Sequence, residues 1–509
     1  MNSSSETRIE AFNHWLKDRG VIQHPSISIH HFGHQGHGLI ATEDIEAGTI
    51  LFSIPRPPVS NSPLLTIGTS DFLSKLGTSD AEKISRNWIP LLMTMMWERA
   101  RGYDQSVPSH MSWRPYFEMM PTEFDTLMFW SDDELKELQA STVLGKEEAE
   151  ADYHQLVAPL IRSRSDLFPI PTSNQGKVWT WDDFYGLQIY HLMGSLALSR
   201  SFEVDVVPET DNHDEEEEVD DDKSIEDQDE NGDISMTAAS ASSTGIIEEE
   251  VGLNTSEGVA MVPLADILNA KSGCENAKLF YEPTTLNMTT TKSIRKGEQI
   301  YNTYADPPNA DLLRRYGHVD DENPFDLAEV SLELCIRLAA ESLHPSDPQN
   351  QNTLDELKSR AKWALEVSDI DEIFMLPTKS QREPKEILPD ELVIMLRILL
   401  STEEEFQTWK SKGKVPKPAM SEPIAQLAIQ ILSNRLNQYS TTIQNDQDLL
   451  KDQSLSRRKL KSIKVRLGEK LILNDLLNDL NKSIQINNGK RKSQNQLEKT
   501  KKNTKKSKT

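Results

Sequence analysis

The stretch MVPLADILNAKSGCENAKLFYEP, residues 261–283, begins as a buried segment and then breaks its own pattern. The run MVPLADIL is mostly apolar, which predicts burial, yet Asp266 lies inside it and Asn269 follows directly. A buried carboxylate or carboxamide needs hydrogen-bond partners. The fold around this stretch therefore has to supply partners for these two side chains.

Strand-like segments occur on both sides of this stretch. Residues 27–55 contain β-rich runs interrupted by glycines, and TILFSIP at their end is strand-like. From residue 276 onward, the short, β-branched runs NAKLFYEP, LNMTTTKSI and GEQIYNTY are separated by turns. Residues 61–200 instead show helical spacing in WIPLLMTMMWERA and DDELKELQ, and one amphipathic helix is predicted for residues 179–202.

From Phe325 onward the spacing of apolar residues predicts helices only. The segments are PFDLAEVSLELCIRLAAESL, DELVIMLRILLSTEEEFQTW, EPIAQLAIQILSNRLNQY and GEKLILNDLLNDLNKSI. Because strands and helices do not alternate, a doubly wound dinucleotide-binding fold is excluded. We predict an α+β protein whose β-rich domain is split by a helical insertion and followed by an all-α domain.

The net charge of −26 is concentrated in one segment. Residues 205–250 hold 19 acidic residues and one lysine, and so supply −18 of that charge. Residues 490–509 hold nine basic residues and one acid. Both segments are polar, free of aromatic residues and low in complexity, which predicts disorder. The basic segment is typical of a nuclear import signal, so we expect the nucleus, with the cytoplasm as a second compartment.

The remaining composition limits the class of protein. Two cysteines, Cys274 and Cys335, cannot form a disulfide framework or a zinc motif, which favours a reducing compartment. No signal peptide and no window of about 18 apolar residues is present, so we expect a soluble intracellular protein without membrane contact. We also expect a monomer, no metal and no strong direct binding of nucleic acid.

Four short motifs carry the candidate chemistry when they are taken in order. They are GHQGHG with the following strand, SRSFEV at residues 199–204, PLADILN, and YNTYADPPNADLLRRYGHV at residues 301–319. Each alone is weak, since glycine pairs usually form turns and a lone tyrosine usually packs. In this order, together with WRPYFEMMP in the insertion and RRKLKSIKVRLGEKLIL near the end, they resemble SET-domain lysine methyltransferases of the Rubisco-methyltransferase-like subgroup. Within it, the chain is most similar to fungal members that act on a large-subunit ribosomal protein.

The resemblance implies a division of the chain. It places the SET domain at residues 1–60 and 251–320, the helical insertion at 61–200, an acidic disordered loop at 201–250, a helical substrate-binding domain at 321–485, and a basic disordered tail at 486–509. It also implies S-adenosylmethionine as the cofactor and a lysine of a protein, monomethylated, as the product. The large-subunit ribosomal protein is the implied substrate partner.

Residue roles follow from the same resemblance. The implied cofactor contacts are Gly36, His37, Gly38, Arg200, Asp266, Asn269, Ala270 and Tyr316. The implied substrate contacts are Trp113, Ser201, Phe202 and Glu203. Tyr304 is the implied catalytic residue, which orients the attacking amine. In this interpretation a ligand and backbone amides satisfy the polar pair in the opening stretch.

Two positions depart from the family pattern. Relatives commonly have His where this chain has Ala270, and often Glu where it has Gln35. An alanine is compatible with binding through the backbone, whereas a required imidazole would lower cofactor affinity.

Two other functions remain open from the sequence. A catalytically weak SET scaffold that binds or chaperones a basic ribosomal or nuclear protein fits the acidic segment. Nucleic-acid binding rests on the basic tail alone, which lacks interleaved aromatic residues.

Overall fold

The computed structural model describes residues 3–56, 64–65, 72–85, 88–104, 106–141, 146–171, 178–204, 259–271, 273–302, 306–347, 350–383 and 386–506. The acidic segment 205–250 and Tyr304 lie outside these residues. The chain divides into two compact units: residues 1–129 with 144–306, and residues 130–143 with 307–509. Residues 130–143, which the sequence analysis placed in the insertion, thus belong to the second unit.

The first unit contains the β-rich part of the chain. Its strands are β1 (Ile22–Gln23), β2 (Ile27–His31), β3 (His37–Ala41), β4 (Ile50–Pro55), β5 (Ser201–Glu203), β6 (Val259–Met261), β7 (Asn269–Ala270), β8 (Ala277–Tyr281), β9 (Thr285–Thr290) and β10 (Gln299–Asn302). Two sheets have the orders β1-β4-β9-β8 and β2-β3-β10-β7, and β5 pairs with β6. Strands from both sides of the insertion are neighbours in each four-stranded sheet, as the sequence predicted.

Alternation of buried and exposed side chains explains why these runs form strands. In β9 the residues Leu286, Met288 and Thr290 are buried while their neighbours are partly exposed, which is the period of two of a sheet with one face on the core. β9 pairs antiparallel with β4 and β8. The pairing of β7 with β10 is parallel, with Asn269 opposite Tyr301 and Ala270 opposite Asn302.

Helices of the insertion and the N-terminus complete the first unit. They are α1 (Ser3–Asp18), α2 (Phe72–Leu76), α3 (Thr78–Lys83), α4 (Ile89–Arg101), α5 (Arg114–Phe117), α7 (Lys146–Asp152), α8 (Ala158–Ser163), α9 (Asp182–Tyr185) and α10 (Leu187–Arg200), with a π-helical turn at Tyr153–Val157. The single helix predicted for residues 179–202 is therefore wrong. Gly186 adopts an extended conformation between α9 and α10, and a Cβ there would lie 2.9 Å from the Asp182 backbone.

The second unit is mostly helical. Its helices are α6 (Asp132–Lys136), α11 (Asn309–Tyr316), α12 (Leu332–Leu343), α13 (Gln351–Val367), α14 (Asp390–Leu399), α15 (Glu403–Lys412), α16 (Glu422–Asn437), α17 (Ile443–Leu449) and α18 (Arg457–Lys506). The prediction of helices only is wrong at two places, where β11 (Leu327–Ser331) pairs antiparallel with β12 (Ile373–Pro377). Residues Ala328 and Val330 of β11 alternate with more exposed neighbours, a period that the longer helical pattern of the sequence concealed.

The last helix extends into the basic segment. α18 continues to Lys506, whereas the sequence predicted disorder from residue 486. Adding a residue to an existing helix costs far less than starting one, and no proline interrupts the segment. Among the described helices none is long and apolar enough to cross a membrane. The described residues also contain no group of three or more His, Cys, Asp or Glu side chains that could hold a metal ion.

Candidate active site

The glycine pair brings two distant segments of the first unit together. Gly36 has φ +74°, a conformation that favours glycine, at the end of the turn Gly33–Gln35. A Cβ at Gly38 would lie 2.8 Å from Asn269 Nδ2 and 2.9 Å from Gln299 Nε2. The missing side chain thus lets Asn269 approach β3, where its Nδ2 donates to the His37 carbonyl at 3.4 Å.

Residues 262–266 form a tight turn beside this contact. Leu264 is a non-glycine residue with φ +82°, and the turn is closed by the Asp266 amide, which donates to the Val262 carbonyl at 3.0 Å. Such a backbone conformation persists only where its surroundings hold it, and it is common near functional sites. The turn directs Asp266 inward, where only 3% of the residue is exposed.

Asp266 is buried with one of its two carboxylate oxygens paired. Tyr116 donates its hydroxyl to Oδ2 at 2.7 Å, whereas Oδ1 is buried and has no hydrogen-bond partner in the structure. Burial raises the pKa of Asp266 to about 7, although the Tyr116 hydroxyl and the Arg200 charge act in the opposite direction. The same burial and the adjacent carboxylate raise the pKa of Tyr116 well above its usual value, so it remains a hydrogen-bond donor.

Arg200 joins the end of α10 to this turn. Its Nη1 donates to the Asp266 backbone carbonyl, while its Nε is buried without a hydrogen-bond partner. The next residue, Ser201, begins β5, which pairs with β6 directly before the turn. A cation that is fixed at one nitrogen and still has a free donor can bind a ligand carboxylate.

His37 presents a neutral imidazole to the same region. Burial, together with the charges of His31, Arg8 and Arg200, lowers its pKa, so the ring is uncharged at neutral pH. Its Nε2 is buried and has no partner in the structure. The His31 ring lies 5.2 Å away, between ring centroids, in an edge-on arrangement.

The structure thus brings together most of the predicted cofactor residues. Gly36, His37, Gly38, Arg200, Asp266 and Asn269 are connected by the contacts above, and Ala270 follows in β7. Tyr316 ends α11 in the second unit, before Gly317 in a left-handed cap. The cofactor contact of Tyr316 stays a prediction. The catalytic role of Tyr304 also stays a prediction, since it lies outside the described residues.

The predicted substrate residues occupy different environments. Trp113 is buried in an aromatic cluster, with its ring centroid 5.1 Å from Trp15 and 5.7 Å from Tyr116. On β5, Phe202 is buried, Ser201 is half-buried and Glu203 is exposed. Their substrate contacts stay predictions.

Sequence reasoning missed Tyr116 and Gln299. The available signal for Tyr116 was its place in WRPYF, three residues after Trp113. No sequence pattern marks Gln299, whose Nε2 is buried and unpaired beside Gly38.

Unpaired buried atoms show that the site suits S-adenosylmethionine, which carries a carboxylate, an ammonium group and an adenine. Arg200 Nε offers a cationic donor for the carboxylate, and Asp266 Oδ1 offers an acceptor for the ammonium or the adenine amino group. Gly38 leaves room for the Asn269 and Gln299 side chains beside the backbone of β3. Atoms of this kind are rare in folded proteins unless a ligand or water completes them.

Comparisons with known proteins identify two domains in this chain and several relatives. A SET domain is recognised at residues 36–305 and a Rubisco LSMT substrate-binding domain at residues 344–473. Ribosomal lysine N-methyltransferase 4 of Saccharomyces cerevisiae is 28% identical, over 77% of this chain and 71% of the yeast protein. N-lysine methyltransferase setd6 of Salmo salar is 27% identical, over 92% of this chain and 96% of its own length. The crystal structure of the SET domain of LSMT bound to lysine and AdoHcy has a TM-score of 0.60 and 18% identity, over 94% of this chain and 91% of that one.

The SET match covers more than half of the chain, and the structural match confirms the predicted α+β fold with its helical C-terminal domain. The predicted enzyme class and cofactor are confirmed as well. The chain belongs to the SET-domain family of S-adenosylmethionine-dependent protein-lysine N-methyltransferases.

Proposed function

We propose that this enzyme adds a single methyl group to one lysine of a large-subunit ribosomal protein. The observation that carries the methyl-transfer part is the unpaired buried Nε of Arg200 and Oδ1 of Asp266, on two residues joined by a hydrogen bond. Support for the substrate comes from the yeast relative, whose name identifies a ribosomal lysine as its target. The domain at residues 344–473, which resembles a substrate-binding domain, supports a folded protein as the substrate.

The chemistry requires an uncharged amine. When bound, S-adenosylmethionine supplies a methyl carbon attached to a positively charged sulfur. The attacking lysine has an ordinary pKa near ~10.4, so it must first lose its proton. A buried, dry site disfavours the ammonium form and so favours this loss. His37 adds no charge to the site at neutral pH, because burial lowers its pKa.

The chain's own residues then hold the reactants in place. Arg200 is anchored to the Asp266 carbonyl, and Asn269 is anchored to the His37 carbonyl, so the donors of the site are oriented before a ligand enters. Tyr304 is our candidate for orienting the amine, through its hydroxyl. It follows β10, whose partner strand β7 carries Asn269 and Ala270. Fixed orientation of this kind is a large part of catalysis.

The test of this function is a labelling experiment. The purified chain is incubated with methyl-labelled S-adenosylmethionine and large-subunit ribosomal proteins, and the products are digested for mass spectrometry. We expect one lysine to gain a single methyl group. If no ribosomal protein gains the label but another protein fraction does, the proposed ribosomal substrate is wrong. The assignment as a lysine methyltransferase would still hold.

Substitution of the tyrosine tests the reaction centre. Tyr304→Phe should lower turnover about a hundredfold, because an oriented hydroxyl is lost, while the affinity for S-adenosylhomocysteine is unchanged. Tyr281→Phe, on the separate strand β8, is the matched control and should retain turnover. Equal turnover of the two variants would show that Tyr304 has no role in the reaction.

We also propose nuclear import through the basic segment 490–509. Its nine basic residues support this compartment. A fluorescent fusion of the full chain should concentrate in the nucleus, and a fusion truncated after residue 489 should not. Methylation of the purified substrate should persist in the truncated chain.

A further inference from the structure

The insertion contributes a short segment that contacts both halves of the candidate site. Within it, α5 (Arg114–Phe117) carries Tyr116, which is fully buried and donates to Asp266 Oδ2 at 2.7 Å. Two residues past the end of α5, the Met119 backbone lies close enough to the His37 imidazole to act on its pKa, which it raises. One segment thus touches the turn that contains Asp266 and the glycine loop that contains His37.

This segment is itself held firmly in the first unit. Trp15 Nε1 donates to the Ser112 carbonyl at 2.8 Å, and the Trp15 ring stacks on the Tyr116 ring with centroids 6.3 Å apart. Trp113 and Phe117 contact the Tyr116 ring edge-on, at 5.7 and 5.2 Å between centroids. The phenol ring is therefore fixed by packing, which leaves its hydroxyl as the one polar group that it directs at the site.

The charged and titratable groups that act on Asp266 come from two elements. Tyr116 faces it from α5, and Arg200 faces it from the end of α10. His37, on β3, interacts with Arg200 instead. Of these, Tyr116 donates to the carboxylate directly, whereas Arg200 donates to the backbone carbonyl of the same residue.

We propose that Tyr116 is a positioning residue for methyl-donor binding. Its hydroxyl holds the Asp266 carboxylate in one orientation, and so holds the turn whose carbonyl anchors Arg200. Oδ1 of Asp266 and Nε of Arg200, both buried and unpaired, are then presented to the donor's ammonium and carboxylate groups. The inference rests on the proposed methyltransferase function, and it adds a residue to which neither the motif nor the fold assigned a role.

The Tyr116→Phe variant isolates the hydroxyl. Phenylalanine retains the ring that packs on Trp15 and Trp113, but it leaves the buried Asp266 carboxylate without its donor. The charged form then loses stabilisation, so the pKa of Asp266 rises above its present value of about 7. At pH 7 the variant carries a neutral Asp266, and at pH 8.5 it regains a larger fraction of the charge.

Affinity for S-adenosylhomocysteine, measured by titration calorimetry on the full chain, is the readout. At pH 7 Tyr116→Phe should bind about tenfold more weakly than the unmodified chain, as expected for loss of one hydrogen bond to a charged group. At pH 8.5 the ratio of the two affinities should shrink to about threefold or less, since the charge returns. Comparing ratios at one pH cancels the titration of the ligand itself.

Tyr153→Phe is the matched control. Tyr153 is also a buried tyrosine of the first unit, and its hydroxyl donates at 2.9 Å to the Tyr185 carbonyl, away from the site. Its loss should leave the affinity unchanged at both pH values. Equal losses in Tyr116→Phe and Tyr153→Phe would overturn the inference, because a general effect on packing would explain both.

Asp266→Asn tests the route through the carboxylate. In the Asp266→Asn background, Tyr116→Phe should cause little further loss of affinity. The ratio of affinities with and without Tyr116→Phe should then be the same at pH 7 and pH 8.5. A full tenfold additional loss in the double variant would overturn the inference. If Tyr116→Phe does not fold, the affinity of Asp266→Asn for S-adenosylhomocysteine is measured at both pH values instead. If this affinity changes with pH as much as that of the unmodified chain, the inference is refuted.

Failure of the proposed function is a separate result. If the unmodified chain binds no S-adenosylhomocysteine at either pH, the proposed methylation of a ribosomal protein fails, and the inference fails with it. If the unmodified chain binds and Tyr116→Phe binds equally at both pH values, only the inference fails.

Discussion

Two buried aspartates, one in each unit, have opposite surroundings. Asp446, in α17, accepts from Arg466 Nε and Nη2 at 3.0 and 2.8 Å and also from Lys470 and Thr441. Asp266 accepts from Tyr116, and its second carboxylate oxygen has no partner in the structure. The exposed fractions are 0% for Asp446 and 3% for Asp266, so both are shielded from solvent, although Asp266 lies deeper among protein atoms.

The number and charge of the donors decide the protonation of each group. Burial alone would raise the pKa of Asp446, but hydrogen bonds from Arg466 and Lys470 outweigh it and lower the pKa. At Asp266 burial dominates and raises the pKa to about 7. A carboxylate such as Asp446, with both oxygens paired to cationic donors, stabilises a scaffold. A half-filled one retains capacity for a ligand.

The strongest test of this contrast is Asp446→Asn. It leaves Lys470 buried without its salt-bridge partner and Arg466 paired with Glu137 alone. The second unit should therefore lose about 3–5 kcal/mol of unfolding free energy. Denaturant titration followed by circular dichroism measures this loss. Asp448→Asn is the control, since Asp448 is exposed and pairs with Lys451 on the surface, and its stability should not change measurably. Similar stability of both variants would show that the buried cluster is not a scaffold.

The matching substitution in the first unit, Asp266→Asn, should lower ligand affinity without lowering stability. Asp266→Asn removes a carboxylate whose charged form is disfavoured by burial, so the first unit should be at least as stable as before at pH 8. Its affinity for S-adenosylhomocysteine should fall about tenfold, because an acceptor for a charged ligand group is lost. Thermal unfolding and calorimetry separate the two effects. A destabilised variant with unchanged affinity would place Asp266 with the scaffold instead.

Glu469 sharpens the comparison, because it is a buried carboxylate of the second unit with neutral donors only. Ser141 donates to it at 2.6 Å and Tyr439 donates to its other oxygen, and burial raises its pKa to about 7. Its stabilising contribution is present below the unfolded pKa, near ~4.3, and is lost as the pH rises through about 7. With neutral donors only, the pKa of Glu469 is raised like that of Asp266 and not lowered like that of Asp446.

Glu469→Gln tests this assignment with the smallest expected effect. Between pH 6 and pH 8 the unmodified chain should lose about 1 kcal/mol more unfolding free energy than the variant. Denaturant titrations at the two pH values measure the difference. Glu404→Gln, an exposed glutamate of α15, controls for the removal of one negative charge. Parallel pH dependences of unmodified chain and Glu469→Gln would contradict the assignment.

Much of the fold followed from local patterns. The runs ending in TILFSIP and GEQIYNTY became β4 and β10, and the helical spacing of WIPLLMTMMWERA became α4. The errors have local causes as well. Gly186 ends one helix and starts another, and the alternation in β11 is too short to stand out beside the helix that follows. Short elements and breaks at single residues are weakly specified by period alone.

The candidate site was predictable only in part. The order of the motifs indicated Arg200, Asp266, Asn269 and the glycine pair. It did not indicate Tyr116, which is 150 residues from its partner Asp266 along the chain. A hydrogen bond between such distant residues leaves no periodic trace in either segment.

The amino-acid sequence by itself determined the alternation of buried and exposed residues that forms the strands. It also determined Gly38, which permits β3 and β7 to approach, and the ordered motifs of a SET enzyme. Only the tertiary structure decided which buried carboxylate is charged and which retains a free acceptor. Local patterns specify backbone conformation because it depends on neighbouring residues. The pKa of a buried group depends on burial and on donors that folding brings from elsewhere in the chain.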